Sequence, residues 1–318
     1  MTEDKEVGAM FAAMEDEWQE QKEQRRKVIL RNKIPDNRDL LTALLSMTKQ
    51  ELDDIRYNLC VTGISSLKKA EMAAALVPAV VDFAKRWLVT IGIEQYNILT
   101  SLCRSNGLST QLDPDDMRLD YMRCLGIIFY GQQDGKVAWY MPDEILAVYT
   151  KLDHTPDYKK AVTVNDEVMR LTGGLLFYYG CLNYDELYQR VKNYLDQDVS
   201  LSFVDFMGVL MNGGCWHNNV INTEDGMHYY TLMDADKMLA EREKKAELDF
   251  ADFPYDQIYE AGDPNYIDAT DEYKAFAQYL MNAFSLEVLD AADIVGEIYI
   301  LLQNGESMQE IISYLERF

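Results

Sequence analysis

The stretch QQDGKVAWYMPDEI, residues 132–145, decides the fold class. The apolar runs IIFYG (127–131) and KVAWYM (136–141) flank residues 132–135, a hairpin-turn signal. Pro142 then opens a helix, DEILAVYTKL. Upstream, EQYNILTSLCRSNG (94–107) places Ile98, Leu99 and Leu102 on one helical face and ends at Gly107. DPDDMRLDYMRCLG (113–126) reads as another helix, with Pro114 in its first turn. A ribbon running into a helix, in a chain that otherwise reads as helical, asks for a structural purpose.

The pattern recurs. TEDGMHYYTLMDADKMLA (223–240) repeats it, and DGKVAWYMPDEILA aligns with DGMHYYTLMDADKMLA across a two-residue insertion. Before the second ribbon lie an apolar helix (166–182), a helix over 184–195 capped by Asn183, and a third over 202–212. Short helices followed by a two-stranded ribbon make a winged-helix-like unit. The ribbon covers the open edge of a core that the helices alone cannot bury. The expected class is mainly α: a helical hairpin module, two tandem winged-helix-like units and a C-terminal helical bundle. The boundaries are 1–38, a polar N-terminal helix; 39–90, the hairpin module; 91–160 and 161–235, the two ribbon units; and 236–318, an acidic bundle.

Residues 3–31 read as a solvated terminal helix ending in a basic cluster, Arg25, Arg26, Lys27 and Arg31; a partner-binding arm is the alternative. At the other end, DADKMLAEREKKAELDF (234–250) reads as one helix. FPYDQIYEAGDPNY (253–266) reads as a turn-rich connector with exposed tyrosines. Three further helices complete the bundle, the last opened by a Ser307–Glu310 capping box after Gly305 ends its predecessor.

Residues 44–81 carry the most specific local pattern. Thr48 and Glu51 form a capping box for a helix with Leu52, Ile55 and Leu59 on one face. Gly63 turns the chain, and Ser66 is placed to cap a second helix with Leu67, Met72, Leu76 and Val77 inward. The turn offers Ser65, Ser66, Lys68 and Lys69 at a helix start, where free backbone N–H groups favour an anion.

The string MTKQELDDIRYNLCVTGISSLKKAEMAAAL (47–76) resembles the small N-terminal module of transcription termination factor Rho and the related SAP-type helix–loop–helix modules. The shared features are the first helix, a Gly-hydrophobic turn and a Ser-x-Leu-Lys-Lys helix start. The resemblance implies contact with DNA or RNA by residues 39–90, through Lys49, Arg56, Ser65, Ser66, Lys68 and Lys69. Asp53 and Asp54 depart from a phosphate-binding surface and weaken the part around Arg56. The segments 253–263 and 173–187 resemble parts of bacterial proteins that join such a module to helical repeats, many with a Cys-rich zinc tail. The sequence holds no Cys-rich stretch of that kind, so no metal is implied.

Charge sets the limits on partners. The chain has 54 acidic and 30 basic side chains, net −24, which repels phosphate backbones on average. Only residues 25–104 are net basic, with 13 cations against 8 acids. The helices preceding the ribbons are wrong for a DNA groove. The first carries Asp113, Asp115, Asp116 and Asp120, and the second is almost wholly apolar. These units are expected to serve as protein-contacting architecture.

Neither the acidic start nor the apolar runs suggest a signal peptide or a membrane span. The five scattered cysteines read as reduced thiols in a cytoplasmic protein. Catalytic chemistry is not indicated. There is no phosphate loop, and Cys215, His217 and His228, placed on one ribbon, match no zinc motif. The tyrosines at 178, 179, 184, 188, 194, 229 and 230 read as core rims with hydroxyls in water, a subset of them available to a partner.

The expected function is therefore a non-enzymatic cytoplasmic binding protein without cofactors, nucleic-acid-associated through residues 39–90 and scaffolding protein partners elsewhere. The rival is a protein–protein adaptor, or an acidic decoy that imitates nucleic acid. A metal-dependent enzyme at the second ribbon is the third reading.

Overall fold

The computed structural model describes residues 3–245 and 247–316. Arg317 and Phe318 at the end of the expected last helix, and Ala246 within the expected 234–250 helix, lie outside the described residues. The described residues form fifteen α-helices and two three-stranded antiparallel sheets, so the chain is mainly helical. They cluster into two compact units, residues 1–162 and 163–318.

The first unit runs α1 (Glu3–Ile29), α2 (Leu40–Ser46), α3 (Lys49–Asn58), α4 (Lys69–Trp87), a 3-10 turn (Leu88–Thr90), α5 (Ile93–Arg104), β1 (Leu108–Ser109), α6 (Met117–Cys124), β2 (Phe129–Gln133), β3 (Lys136–Tyr140) and α7 (Asp143–Asp153). Asp134 and Gly135 both take positive φ, 51° and 77°, as a two-residue type I′ hairpin turn requires. Gly135 tolerates that conformation because it has no Cβ. The amide of Gly135 donates to the Gln132 side chain at 3.0 Å. β1 joins the other side of β3, Leu108 opposite Tyr140, giving the order β1-β3-β2. The outer edge of β2 is also covered. Gln132 N–H donates to Asn32 O (2.8 Å), and Ile34 N–H donates to Gln132 O (3.1 Å).

The core of this unit forms on α4. Met72, Leu76, Val80, Ala84 and Trp87 fall on one face and are buried against Leu40, Ala43 and Leu44 of α2 and Ile145 and Tyr149 of α7. Each fully buried large apolar side chain stabilises by about 1.5–3 kcal/mol.

The helix α8 (Tyr158–Tyr179) carries the division between the units. The second unit continues with β4 (Cys181–Asn183), α9 (Tyr184–Tyr194), α10 (Phe203–Gly214), β5 (Val220–Asn222), β6 (Gly226–Tyr229), α11 (Ala235–Glu243), α12 (Tyr255–Ala261), α13 (Asp271–Phe284), α14 (Val288–Gln303) and α15 (Met308–Leu315). Its sheet repeats the first topology, β4-β6-β5, with Cys181 opposite His228 and Ile221 opposite His228 on the other side. Val168, Leu171, Leu175 and Leu176 of α8 pack with Leu187, Val191, Phe206 and Leu210 into one core. Leu280, Ala291, Ile294, Val295, Ile298 and Ile311 make a second, smaller one within α13–α15.

Several expectations are corrected. Each ribbon is one side of a three-stranded sheet; the missing strands have two and three residues, too short to show a period. Cys181 and Leu182, expected to end a helix, lie on β4, because Gly180 (φ 74°) stops α8. The helix expected from residue 113 starts at Met117. Asp113 instead accepts a turn bond from the Asp115 N–H (2.9 Å), and Asp116 caps the helix, so Pro114 lies outside it. Ser66 does not cap α4. Lys68 is the N-cap, and its N–H donates to Glu71 Oε2 at 3.1 Å.

In the second unit the 234–250 helix ends at Glu243, and the 253–266 connector contains α12, with Ile258 and Ala261 fully buried. Cys215 is the C-cap of α10 and His217 follows in a turn, so neither is on a strand. The tyrosine hydroxyls hold loops where water was expected. Tyr179 donates to Ala251 O (2.6 Å), Tyr188 to Leu201 O (2.8 Å), Tyr194 to Phe253 O (2.8 Å) and Tyr184 to Thr223 O (2.9 Å). Each satisfies a carbonyl that lacks a ladder or helix partner.

Candidate nucleic-acid interface

The candidate surface is the turn between α3 and α4. Thr48 fixes the start of α3: its hydroxyl accepts from Glu51 N–H (3.2 Å), and its own N–H donates to Glu51 Oε2 (2.6 Å). Leu52 and Ile55 are fully buried beneath the helix. After Asn58 the chain folds back on itself, with Cys60 N–H to Tyr57 O and Val61 N–H to Arg56 O, both 2.9 Å. Gly63 takes φ 80° with open space around it, and Leu67 N–H closes on Ile64 O at 3.1 Å. Met72 and Leu76 anchor α4 from below. The loop is thus tied at both ends while its outer face stays in solvent.

That outer face carries Ser65, Ser66, Lys68 and Lys69, all exposed. No ion pair involves Lys68 or Lys69 among the described residues. They stand at the start of a 19-residue helix. Free N–H groups and the helix dipole there add to the positive potential.

The remaining two candidates do not join this group as free cations. Arg56 is half-buried, with Nε donating to Asp53 Oδ1 at 2.6 Å and a second nitrogen to Val61 O at 3.3 Å. It braces the loop. Asp53 is held below the usual carboxylate range by its bond from Arg56, with a further contribution from Lys49. Lys49 is exposed at the N-terminal end of α3, whereas the loop leaves from the other end, about 15 Å along the axis for ten residues.

Elsewhere in the first unit, carboxylates pair with several of the arginines. Arg25 pairs with Asp120 of α6 (2.7 Å) and Arg26 with Asp115 in the turn before it (2.5 Å), so two of the basic residues at the end of α1 meet carboxylates at the start of α6. Arg118 pairs with Asp116 (3.0 Å) and Glu94 (2.7 Å). Arg123 pairs with Glu51 (2.5 Å) and lies over the Tyr130 ring at 4.2 Å. Burial raises Glu51, but the Thr48 N–H and Arg123 outweigh it and hold the carboxyl below its ordinary value. Burial pushes Asp120 up even beside Arg25. The pairing of Arg26 with Asp115 was invisible in the sequence, since the partners are 89 residues apart.

Among the described residues no group of three or more His, Cys, Asp or Glu side chains is placed to hold a metal ion. His228 Nδ1 lies 2.9 Å from Tyr229 O. No disulfide joins the cysteines among the described residues, and burial raises the thiols of Cys124 and Cys181. A cavity of about 970 Å³ in the second unit is lined by residues of β4, β6 and α11. There Arg242 donates to Cys181 O (2.7 Å) and to Tyr179 O, with Phe250 packed between Arg242 and Arg190 at 4.8 and 4.3 Å. No helix among the described residues is long and apolar enough to cross a membrane. No protein-family model, curated protein or solved structure matches the chain.

Proposed function

We propose that this chain is a non-enzymatic, cytosolic, nucleic-acid-associated binding protein. Its Rho-N-like hairpin touches DNA or RNA, and two winged-helix-like units form an acidic scaffold for protein partners. The observation that carries the reading is the contrast within one unit. Arg25, Arg26, Arg56, Arg118 and Arg123 are spent on carboxylates, while Lys68 and Lys69 stand exposed beside Ser65 and Ser66. The order β1-β3-β2, repeated as β4-β6-β5, supports the winged-helix reading, because the strand after the first helix pairs with the last strand of the hairpin in both.

Charge reversal tests the contact. Two lysines facing phosphates contribute about 1.8 to the slope of log affinity against log salt on duplex DNA, and about 1.4 on single strands. The Lys68→Glu/Lys69→Glu chain is expected to lose binding and that much of its slope. Unchanged affinity and slope would remove the site.

The acidic surface favours a second reading, an adaptor or nucleic-acid-mimicking decoy. Exposed Phe203, Val204 and Met211 on α10 support a protein contact. Under that reading a pull-down recovers basic nucleic-acid enzymes and no nucleic acid.

A further inference from the structure

A second cationic site, unrelated to the α3–α4 turn, lies in the first unit. Residues 93, 96, 97, 100, 101 and 104 of α5 share one helical face and line a cleft of about 500 Å³. The first turns of α8 supply the opposite wall, Lys159 and Val162. The only charged side chains in the lining are Arg104 and Lys159, in a chain whose acids outnumber its bases 54 to 30.

The two walls are fixed to each other. Tyr158, next to Lys159, is buried and donates to Leu88 O at 2.7 Å. Its ring meets Tyr96 edge-on at 6.1 Å and Tyr149 at 6.4 Å. Tyr149 in turn is bonded to Thr100 at 2.6 Å. Tyr96 donates to Asp153 at 2.8 Å, which holds that carboxylate on the tyrosine hydroxyl; Asp153 is not part of the lining.

Ordinary helix electrostatics accounts for Arg104, which sits in the last turn of α5. Lys159 stands in the first turn of α8, two residues after Asp157. A volume of this size is within the range of small-molecule sites. Exposed Asn97 adds an amide donor and Ile93 an apolar wall.

We propose that this cleft binds a small phosphorylated molecule. Arg104 and Lys159 contact the phosphate from opposite walls, and the ligand's body rests on Ile93 and Val162. The site is independent of the proposed nucleic-acid contact, so either can fail without the other.

The test is a titration of the isotope-labelled full chain with inorganic phosphate, adenosine monophosphate and a short single-stranded oligonucleotide at low salt, read by backbone amide shifts. Phosphate and the nucleotide are expected to move amides of 93–104 and 158–162. Arg104→Gln/Lys159→Gln is expected to weaken nucleotide binding by at least about tenfold, since both charge-assisted contacts are lost. The charge-keeping pair Arg104→Lys/Lys159→Arg retains binding, and Lys160→Gln, outside the lining, leaves it unchanged. Absence of shifts in this cleft, or shifts indifferent to the double glutamine change, overturns the proposal. Shifts here with the oligonucleotide but not with the nucleotide overturn the small-molecule assignment.

Discussion

Two glycine-to-alanine changes, both inside helices, should move stability in opposite directions. Gly174 lies in α8 where α12 crosses it. A Cβ added there would fall within the van der Waals shell of Ile258 O and only 2.7 Å from its carbonyl carbon. Ordinary carbon contacts lie at about 3.5–4.0 Å, so the helices must separate locally by about 1 Å. The obstacle is backbone and cannot rotate away. Ile258 and Ala261 are fully buried at this crossing, and Arg170 ties it with bonds of 2.9 Å to Tyr259 O and Asp263.

Overpacking of this kind costs about 1–3 kcal/mol, and the upper end applies against backbone. Alanine's better helix propensity offsets about 0.5–1 kcal/mol. The net loss is about 2 kcal/mol, a fall in Tm of about 4–8 °C for a unit near 150 residues. Gly296 in α14 is the control. Its nearest neighbour to an added Cβ is Tyr273 Oη at 3.9 Å, an ordinary contact. Gly296→Ala should raise Tm by about 1–4 °C through propensity alone. Scanning calorimetry of the two full-length variants decides it. An unchanged or higher Tm for Gly174→Ala, or an equal fall for Gly296→Ala, would refute the packing argument.

Three further outcomes follow from the geometry. Arg242→Met leaves the carbonyls of Cys181 and Tyr179 without their charged donor, a loss of about 1.5–3 kcal/mol locally; limited proteolysis should cut residues 244–253 faster, and equal cutting rates would contradict a role for Arg242 in holding α11 to β4. Gly135→Val places a β-branched residue at φ 77° and should lower the urea midpoint of the first unit, whereas Asp134→Asn should not. Stability should also fall in acid. Asp39 is depressed by the Thr42 N–H and Asp263 by the Asn265 N–H. Glu51 is depressed because the Thr48 N–H and Arg123 outweigh its burial. Groups depressed in the fold contribute fully above their ordinary values, 3.8 for Asp and 4.5 for Glu, and lose that contribution as pH falls through the folded value. Asp120, raised by burial, works in the opposite sense. Glu51→Gln should therefore flatten the stability profile between about pH 5 and pH 3, and an unchanged slope would exclude Glu51 as a contributor.

Local chemistry made much of the fold legible. The Thr48–Glu51, Asn183–Glu186 and Ser307–Glu310 boxes set helix starts within a few residues, so sequence and structure agree there. Asp134–Gly135 likewise fixed a turn that only positive φ satisfies. What sequence patterning missed was short or distant. β1 is two residues long and gains meaning only by pairing with Tyr140 and Trp139, about thirty residues on. α12 hid between Pro254 and Gly262, whose turn character outweighed the buried Ile258 and Ala261. The tyrosines looked amphipathic because they are, but which carbonyl each hydroxyl meets is a tertiary matter.

The candidate surface divides the same way. Compensation of Arg56 by Asp53 is readable at a spacing of three on a helix. Pairing of Arg25 with Asp120 and of Arg26 with Asp115 is not, because it depends on where α1 docks. Nor could the sequence bring Arg104 and Lys159 to one cleft, since they stand 55 positions apart on separate helices, α5 and α8.

Hydrogen exchange of the full chain, with and without a saturating oligonucleotide, tests the central claim most directly. The account predicts slowed amides confined to residues 59–72, the turn that ends in Lys68 and Lys69. Slowing centred on either hairpin instead, with that turn exchanging at its free rate, would contradict it.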